Sequence, residues 1–98
     1  MASLNWTELS IEDMINIAEF ISKDSVKYSQ IQIRRIRERA RILKTQPFWG
    51  RVVPETNNEF IRELILGNYR IIYKIISEER IDVLTVHHSA KLLRIESL

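Results

Sequence analysis

Six ionisable side chains in the second half of the chain have types that suit the cleavage of a phosphodiester: Arg51, Glu55, Arg62, Arg70, His88 and Lys91. Metal-free cleavage of RNA needs a base for the 2′-hydroxyl, an acid for the leaving oxygen and cations for the developing charge. Glu55 or His88 could act as the base, and His88 as the acid. Arg70 or Arg62 would then stabilise the developing negative charge. The same residue types also form structural ion pairs on a sheet, so this set permits a ribonuclease without requiring one.

Other site chemistries have weaker support in the sequence. His87 and His88 are neighbours, and on a strand their side chains point to opposite faces, so they are poorly placed to share a metal ion. Gly50 and Gly67 are isolated, which does not match a glycine-rich phosphate loop. Ser89 follows His88 directly, and adjacency along a strand does not give a nucleophile and its base their geometry. We therefore expect neither a metal ion nor a cofactor.

Positive charge is concentrated in the middle of the chain. Residues 25–45 contain seven Lys or Arg residues and one acid, Glu38, whereas residues 1–24 contain five acids and one Lys. This asymmetry favours an acidic partner for the middle segment, either nucleic acid or an acidic protein. Arg34, Arg37 and Arg41 are its candidate contacts, and outside this segment Arg51, Arg62 and Lys91 are further candidates for binding phosphate or a partner. A solvated helix face is the plainer interpretation of the same pattern.

Length and composition limit the class of protein. The 98 residues suffice for one domain, spanning 1–98, and the absence of cysteine excludes disulfides and thiolate metal sites. The N-terminus has no basic region followed by an apolar core, so it does not resemble a signal peptide. No apolar run reaches the ~18–20 residues that span a bilayer. We expect a cytoplasmic protein that does not interact with membranes.

The candidate residues must be positioned by three strands near the C-terminus. Residues 60–66, 69–76 and 81–87 are rich in β-branched and aromatic side chains. Gly67-Asn68 and the polar residues 77–80 separate them with connections short enough for antiparallel hairpins. The sequence therefore predicts a three-stranded meander.

The N-terminal half predicts one strand and two helices. Residues 2–7 read as an edge strand, and Ser10 with Asp13 matches a capping box for a helix over 11–22. A second helix is predicted from a cap at Asp24-Ser25 to about residue 45, before Pro47. Its apolar seam, widened by Tyr28, Ile31 and Ile42, consists of Val26, Ser29, Ile33, Ile36, Ala40 and Leu43.

The order β-α-α-β-β-β predicts an α+β domain, with a two-helix hairpin packed on one face of a small antiparallel sheet. The other face would be open to solvent or to a partner. An irregular segment, 46–58, joins the helices to the meander. Its Phe48 and Trp49 are expected to close the open end of the core. The alternative is a partner-binding anchor, because Trp is enriched at interface hot spots.

Four short blocks together resemble the RelE/ParE superfamily of toxins from bacterial type II toxin–antitoxin systems. They are G-R-V-V-P-E (50–55), I-R-E-L (61–64), Y-R-I-I-Y (69–73) and V-L-T-V-H-H-S-A-K (83–91). Trp6-Thr7 and the order of the elements fit this superfamily too. The ending favours the ParE branch, with His87 and Lys91 in place of the branch's common Leu and Arg.

The resemblance implies a growth-inhibiting toxin that a cognate antitoxin neutralises by wrapping a C-terminal segment around it. ParE-like members poison DNA gyrase, and RelE-like members cut mRNA on the ribosome, so gyrase is the expected target and the ribosome with its mRNA the alternative. A ribonuclease like YoeB would use Glu55, Arg70 and His88, although Ser89 replaces the usual Tyr. In a ParE-like toxin these residues are largely structural. A homodimer and a heterotetramer with the antitoxin are both compatible assemblies.

Overall fold

The computed structural model describes residues 1–89 together with Leu93 and Leu98. Within these residues, five strands, two α-helices and one short 3-10 helix form, in the predicted β-α-α-β-β-β order with one additional strand before the meander. Their bounds are β1 (Ser3–Trp6), α1 (Glu8–Ser22), α2 (Val26–Ala40), the 3-10 helix (Arg41–Lys44), β2 (Arg51–Val52), β3 (Ile61–Leu66), β4 (Tyr69–Ser77) and β5 (Arg80–His88). No helix of the described chain is long and apolar enough to cross a membrane.

The five strands form one sheet in the order β1-β5-β4-β3-β2. The predicted meander is confirmed, since β3, β4 and β5 pair as antiparallel neighbours. The prediction of a wholly antiparallel sheet is wrong at β1, which runs parallel to β5 with Ser3 opposite Arg80 and Trp6 opposite Val83. A hairpin forces antiparallel pairing, but β1 is joined to the sheet through two helices, and such a crossover allows parallel pairing. The two-residue strand β2 was not predicted.

The first helix begins earlier than the sequence indicated. Thr7, not Ser10, is the N-cap, and its hydroxyl oxygen accepts a hydrogen bond from the Ser10 backbone N–H at 3.2 Å. Asp13 does not complete a capping box. Its carboxylate instead accepts hydrogen bonds from the Val86 backbone N–H at 3.0 Å and from the Thr85 hydroxyl, and so joins α1 to β5.

The second helix begins at the predicted cap, where the Ser25 hydroxyl oxygen accepts from the Tyr28 N–H at 3.0 Å. The α-helix ends at Ala40, and a 3-10 helix follows it directly to Lys44. The predicted end at about 45 therefore matches the end of the 3-10 helix and not that of α2. Four of the six predicted seam residues are buried: Ser29, Ile36, Ala40 and Leu43. Val26, the first residue of α2, is exposed.

The main core lies between the helices and one face of the sheet. Tyr73, Ile81 and Val83 of the sheet pack there with Met14 and Ile36 of the helices, and all five are buried. The opposite face was expected to be open, but it carries a smaller cluster. That cluster consists of Val53, Ile61 and Ile72, with Leu84, Leu93 and Leu98 packed against it.

Candidate functional site

A network of ion pairs lies on the sheet face that points away from the helices. Its centre is Glu63 in β3, whose side chain is fully buried. The Arg51 Nε donates to Glu63 Oε2 at 2.6 Å, and the Arg70 Nε donates to Glu63 Oε1 at 2.5 Å. The Nη1 and Nη2 groups of Arg70 donate to the two oxygens of Glu55 at 2.9 and 3.0 Å. We call Arg51, Glu55, Glu63 and Arg70 the Arg70 network.

Strand register brings the Arg70 network together. Arg51 of β2 lies directly opposite Glu63 of β3. Glu63 is opposite Ile72 and Ile65 is opposite Arg70, so Glu63 and Arg70 are diagonal neighbours on one face. Glu55 follows β2 in a turn that is closed by the Thr56 N–H, which donates to the Val53 carbonyl at 3.1 Å.

Glu55 and Arg70 each stabilise the charged form of the other. The hydrogen bond from Arg70 lowers the pKa of Glu55 from 4.5 to about 2, although the Glu55 side chain remains 35% exposed. The same hydrogen bond raises the pKa of Arg70. With two arginines and two glutamates, the network is neutral overall. A carboxylate with so low a pKa is a weak base near neutral pH.

The predicted catalytic set is only half assembled. Glu55 and Arg70 are in direct contact, but His88 lies opposite Tyr69 and packs edge-to-face on its ring, with the ring centres 5.3 Å apart. Tyr69 packs against the main core, so His88 is on the helix side of the sheet. The residue opposite Arg70 is His87. The sequence showed two adjacent histidines without showing which of them shares a face with Arg70, because that depends on the register of β5.

Arg62 holds a loop in place. Its Nε donates to the Glu59 carbonyl at 2.8 Å, and its Nη1 donates to the Gly50 carbonyl at 2.9 Å and the Phe48 carbonyl at 3.3 Å. Its guanidinium also lies 4.8 Å from the centre of the Phe48 ring. These contacts make Arg62 a structural residue of the segment before β2, and its proposed contact with phosphate or a partner stays a prediction.

Tyr73 anchors the same segment from the main core. Its hydroxyl donates to the Pro47 carbonyl at 2.6 Å and accepts from the Gly50 N–H at 3.0 Å, while the residue is fully buried. At Gly50, a Cβ atom would lie only 2.5 Å from the Glu63 carbonyl oxygen and 2.7 Å from the Tyr73 hydroxyl. Only glycine fits at this position.

Phe48 and Trp49 do not close the core, contrary to the favoured prediction. They are 55% and 57% exposed, and Phe60 beside them is 43% exposed. The Phe48 and Phe60 rings contact edge-to-face with centres 6.5 Å apart. Tyr73 is the fully buried aromatic residue that contacts this turn, at Pro47 and Gly50. We call Phe48, Trp49 and Phe60 the aromatic turn.

A groove with an apolar floor and a cationic rim runs between α1, α2 and β1. Its volume is about 500 Å³. Ile11 and Ile15 are 49% and 53% exposed along it. Its apolar lining also includes Leu4, Trp6, Met14, Ala18 and Ile33, and its cations are Arg37, Arg41 and Lys44. A cavity of about 410 Å³ adjoins it and adds Arg34 and one acid, Glu38. We call this surface the basic groove.

The candidate residues thus separate into two places. Arg34, Arg37 and Arg41 come together along the basic groove, while Arg51, Glu55 and Arg70 come together on the sheet. Lys91 lies outside the described residues. Sequence reasoning missed Glu63 and Tyr73. The available signal for Glu63 was an acid within the mainly apolar predicted strand over 60–66. A buried acid must be paired with a hydrogen-bond donor or a cation.

Comparisons with known proteins agree with this architecture. The family model described as "ParE toxin of type II toxin-antitoxin system, parDE" matches residues 4–93. A solved structure titled "Chromosomal ParDE TA system from P. aeruginosa" superposes with a TM-score of 0.75 at 19% sequence identity, covering 90% of this chain and 96% of that chain. No curated protein matches the sequence. The predicted resemblance is confirmed: the chain belongs to the ParE toxin family of type II toxin–antitoxin systems.

Proposed function

We propose that this toxin inhibits growth by binding and poisoning DNA gyrase in the cytoplasm, without chemistry of its own, and that an antitoxin neutralises it at the basic groove. The family supplies the toxin–antitoxin role. The gyrase target and the site of neutralisation are our inferences. Each has its own support and its own test.

Support for a binding mechanism comes from the Arg70 network. The Nε, Nη1 and Nη2 groups of Arg70 all donate to carboxylates of the protein itself, and Glu55 is a weak base because its pKa is about 2. His88 lies on the other face of the sheet. Within the described part of the chain, the predicted base, cation and acid therefore do not converge on one substrate position.

The discriminating experiment measures two activities of the purified protein. Gyrase supercoiling of relaxed plasmid should fall as toxin is added, with cleaved DNA accumulating if the enzyme is trapped on its substrate. Primer extension on mRNA translated in vitro should show no new cleavage. Uninhibited supercoiling at large toxin excess contradicts the proposal. If the wild type cleaves mRNA and Arg70→Ala does not, the toxin is a ribonuclease and the proposed binding mechanism is wrong.

Support for neutralisation at the basic groove comes from its chemistry. Its floor is apolar and two exposed isoleucines border it. Three arginines and a lysine surround it with one acid, Glu38, so the rim carries a net positive charge. An amphipathic segment with an apolar face and acidic flanks complements such a surface. A disordered antitoxin tail that folds on binding would fit this description. We infer that the antitoxin presents such a segment.

A further inference from the structure

The aromatic turn is an exposed apolar surface with an unusually fixed backbone. Trp49, the most exposed of its three rings, leaves 57% of its surface accessible. Large aromatic side chains that are exposed on a rigid support are the usual anchors of protein interfaces. A flexible loop would lose more entropy on binding, so a rigid support makes such an anchor more effective.

Several independent contacts supply that rigidity. The Tyr73 hydroxyl bonds the backbone on both sides of the two exposed residues, at Pro47 and Gly50. Arg62 donates hydrogen bonds to the carbonyls of Phe48 and Gly50. The Trp49 N–H donates to the Gln46 carbonyl at 3.1 Å. A buried tyrosine, an arginine and an obligatory glycine thus hold a turn whose side chains do not fill the core.

The charges near the aromatic turn balance, which favours a protein partner over nucleic acid. Residues 46–70 contain three arginines and three glutamates. Single-stranded nucleic acid is usually held by a positively charged groove that lies beside stacking aromatic rings. Here Arg51 and Arg70 are paired with glutamates, and Arg62 is bonded to backbone carbonyls.

The aromatic turn is also separate from the basic groove. Phe48 and Trp49 directly precede β2, and Phe60 directly precedes β3; these two strands are at the opposite end of the sheet from β1. Leu4 and Trp6 of β1 line the groove, whereas its described lining includes none of the three aromatic-turn residues. The toxin therefore has two dissimilar surfaces on different edges, one cationic and one neutral and aromatic.

We propose that the aromatic turn is the surface with which this toxin contacts its target, inserting Trp49 into an apolar pocket on the gyrase protein. This assignment rests on the proposed gyrase target. It leaves the basic groove to the antitoxin.

The test compares three variants with the wild type for inhibition of supercoiling and for binding to immobilised gyrase subunits. Trp49→Ala removes the anchor, and Trp49→Phe retains an aromatic ring. Phe20→Ala is the matched control because Phe20 is a 70% exposed aromatic residue on α1, away from the turn. Thermal unfolding checks that all variants are folded.

Trp49→Ala should weaken gyrase binding and inhibition about 30-fold, the loss typical of a hot-spot residue. Trp49→Phe should recover most of that loss, and Phe20→Ala should behave like the wild type. Equal inhibition by Trp49→Ala and wild type would overturn the assignment, as would equal losses in Trp49→Ala and Phe20→Ala. A Trp49→Ala variant that loses affinity for DNA oligonucleotides but still binds gyrase would also overturn it, because the aromatic turn would then contact nucleic acid. A wild type that leaves gyrase uninhibited would instead reject the proposed function itself.

Discussion

Arg70 lies opposite His87 across β4 and β5, while His88 lies opposite Tyr69 on the other face of the sheet. A shift of one residue in β5 would exchange the two histidines. The observed pairing places His88 beside the core-facing Tyr69 and places His87 on the same face as the Arg70 network. The predicted acid, His88, is therefore on the opposite face from Glu55 and Arg70, which supports the proposed binding mechanism.

Tyr73→Phe should destabilise the protein by about 1–3 kcal/mol. The substitution removes the hydroxyl that bonds the Pro47 carbonyl and the Gly50 N–H in a fully buried position. Urea unfolding measures the change. Tyr28→Phe, at a 45% exposed tyrosine, is the control and should change stability little. Equal midpoints for both variants would show that the buried hydroxyl does not hold the turn.

Gly50→Ala should be more destabilising than Gly67→Ala. The new Cβ would lie 2.5 Å from the Glu63 carbonyl oxygen, which is fixed in the sheet, and overpacking of this kind typically costs about 1–3 kcal/mol or more. Gly67 has a positive φ of 57° but open space around it, so alanine there should cost only about 1–2 kcal/mol through backbone strain. Thermal unfolding of both variants ranks them. The reverse order would contradict the close approach at Gly50.

Glu63→Gln should be strongly destabilising, whereas Arg51→Gln should not. Glu63→Gln removes the fully buried carboxylate that pairs with Arg70, whose own side chain is only 14% exposed. Breaking such a buried ion pair costs about 3–5 kcal/mol. The Arg51 side chain is 64% exposed, and without it Arg70 would still pair with the Glu63 carboxylate, so the loss should be smaller, about 1–2 kcal/mol. Chemical denaturation of the two variants tests this asymmetry, and similar losses would contradict it.

Acid should lower the stability of the folded protein by protonating Glu55. Its pKa is lowered from 4.5 to about 2 in the folded state, so ionised Glu55 contributes stability above about pH 4.5, and this contribution is lost as the pH falls toward 2. Glu55→Gln cannot titrate. Urea midpoints from pH 7 to pH 2.5 should therefore fall less steeply in this variant than in wild type. Parallel pH profiles would indicate that the pairing with Arg70 adds nothing to stability.

Reversing charge along the basic groove should weaken antitoxin binding. Arg37 and Arg41 both line it, and the double variant Arg37→Glu/Arg41→Glu should lose at least about tenfold in affinity for the antitoxin encoded beside the toxin. Arg35→Glu is a matched control, because Arg35 is exposed on the same helix and is not in the groove's described lining. Calorimetric titration measures both. Equal affinities would place the antitoxin elsewhere.

Local patterns were sufficient to predict most of the elements but not the arrangement of the polar residues. The three strands of the meander fall within one or two residues of their predicted bounds because their turns and apolar runs are local signals. The direction of β1, the cap at Thr7 and the exposure of Trp49 depend on distant contacts. Glu63 was overlooked because its partners, Arg51 and Arg70, are brought to it by strand register rather than by spacing along the chain.

The parallel pairing of β1 with β5 also has a consequence for biosynthesis. Ser3 and Thr7 bond to residues 76 or 77 positions later in the chain. Contacts between such distant parts of a chain form late and slow folding. Strand β1 therefore cannot join the sheet until β5 has been made. Its apolar side chains stay without their sheet partners until then, so a truncated chain that ends before residue 80 cannot complete the edge that forms part of the basic groove.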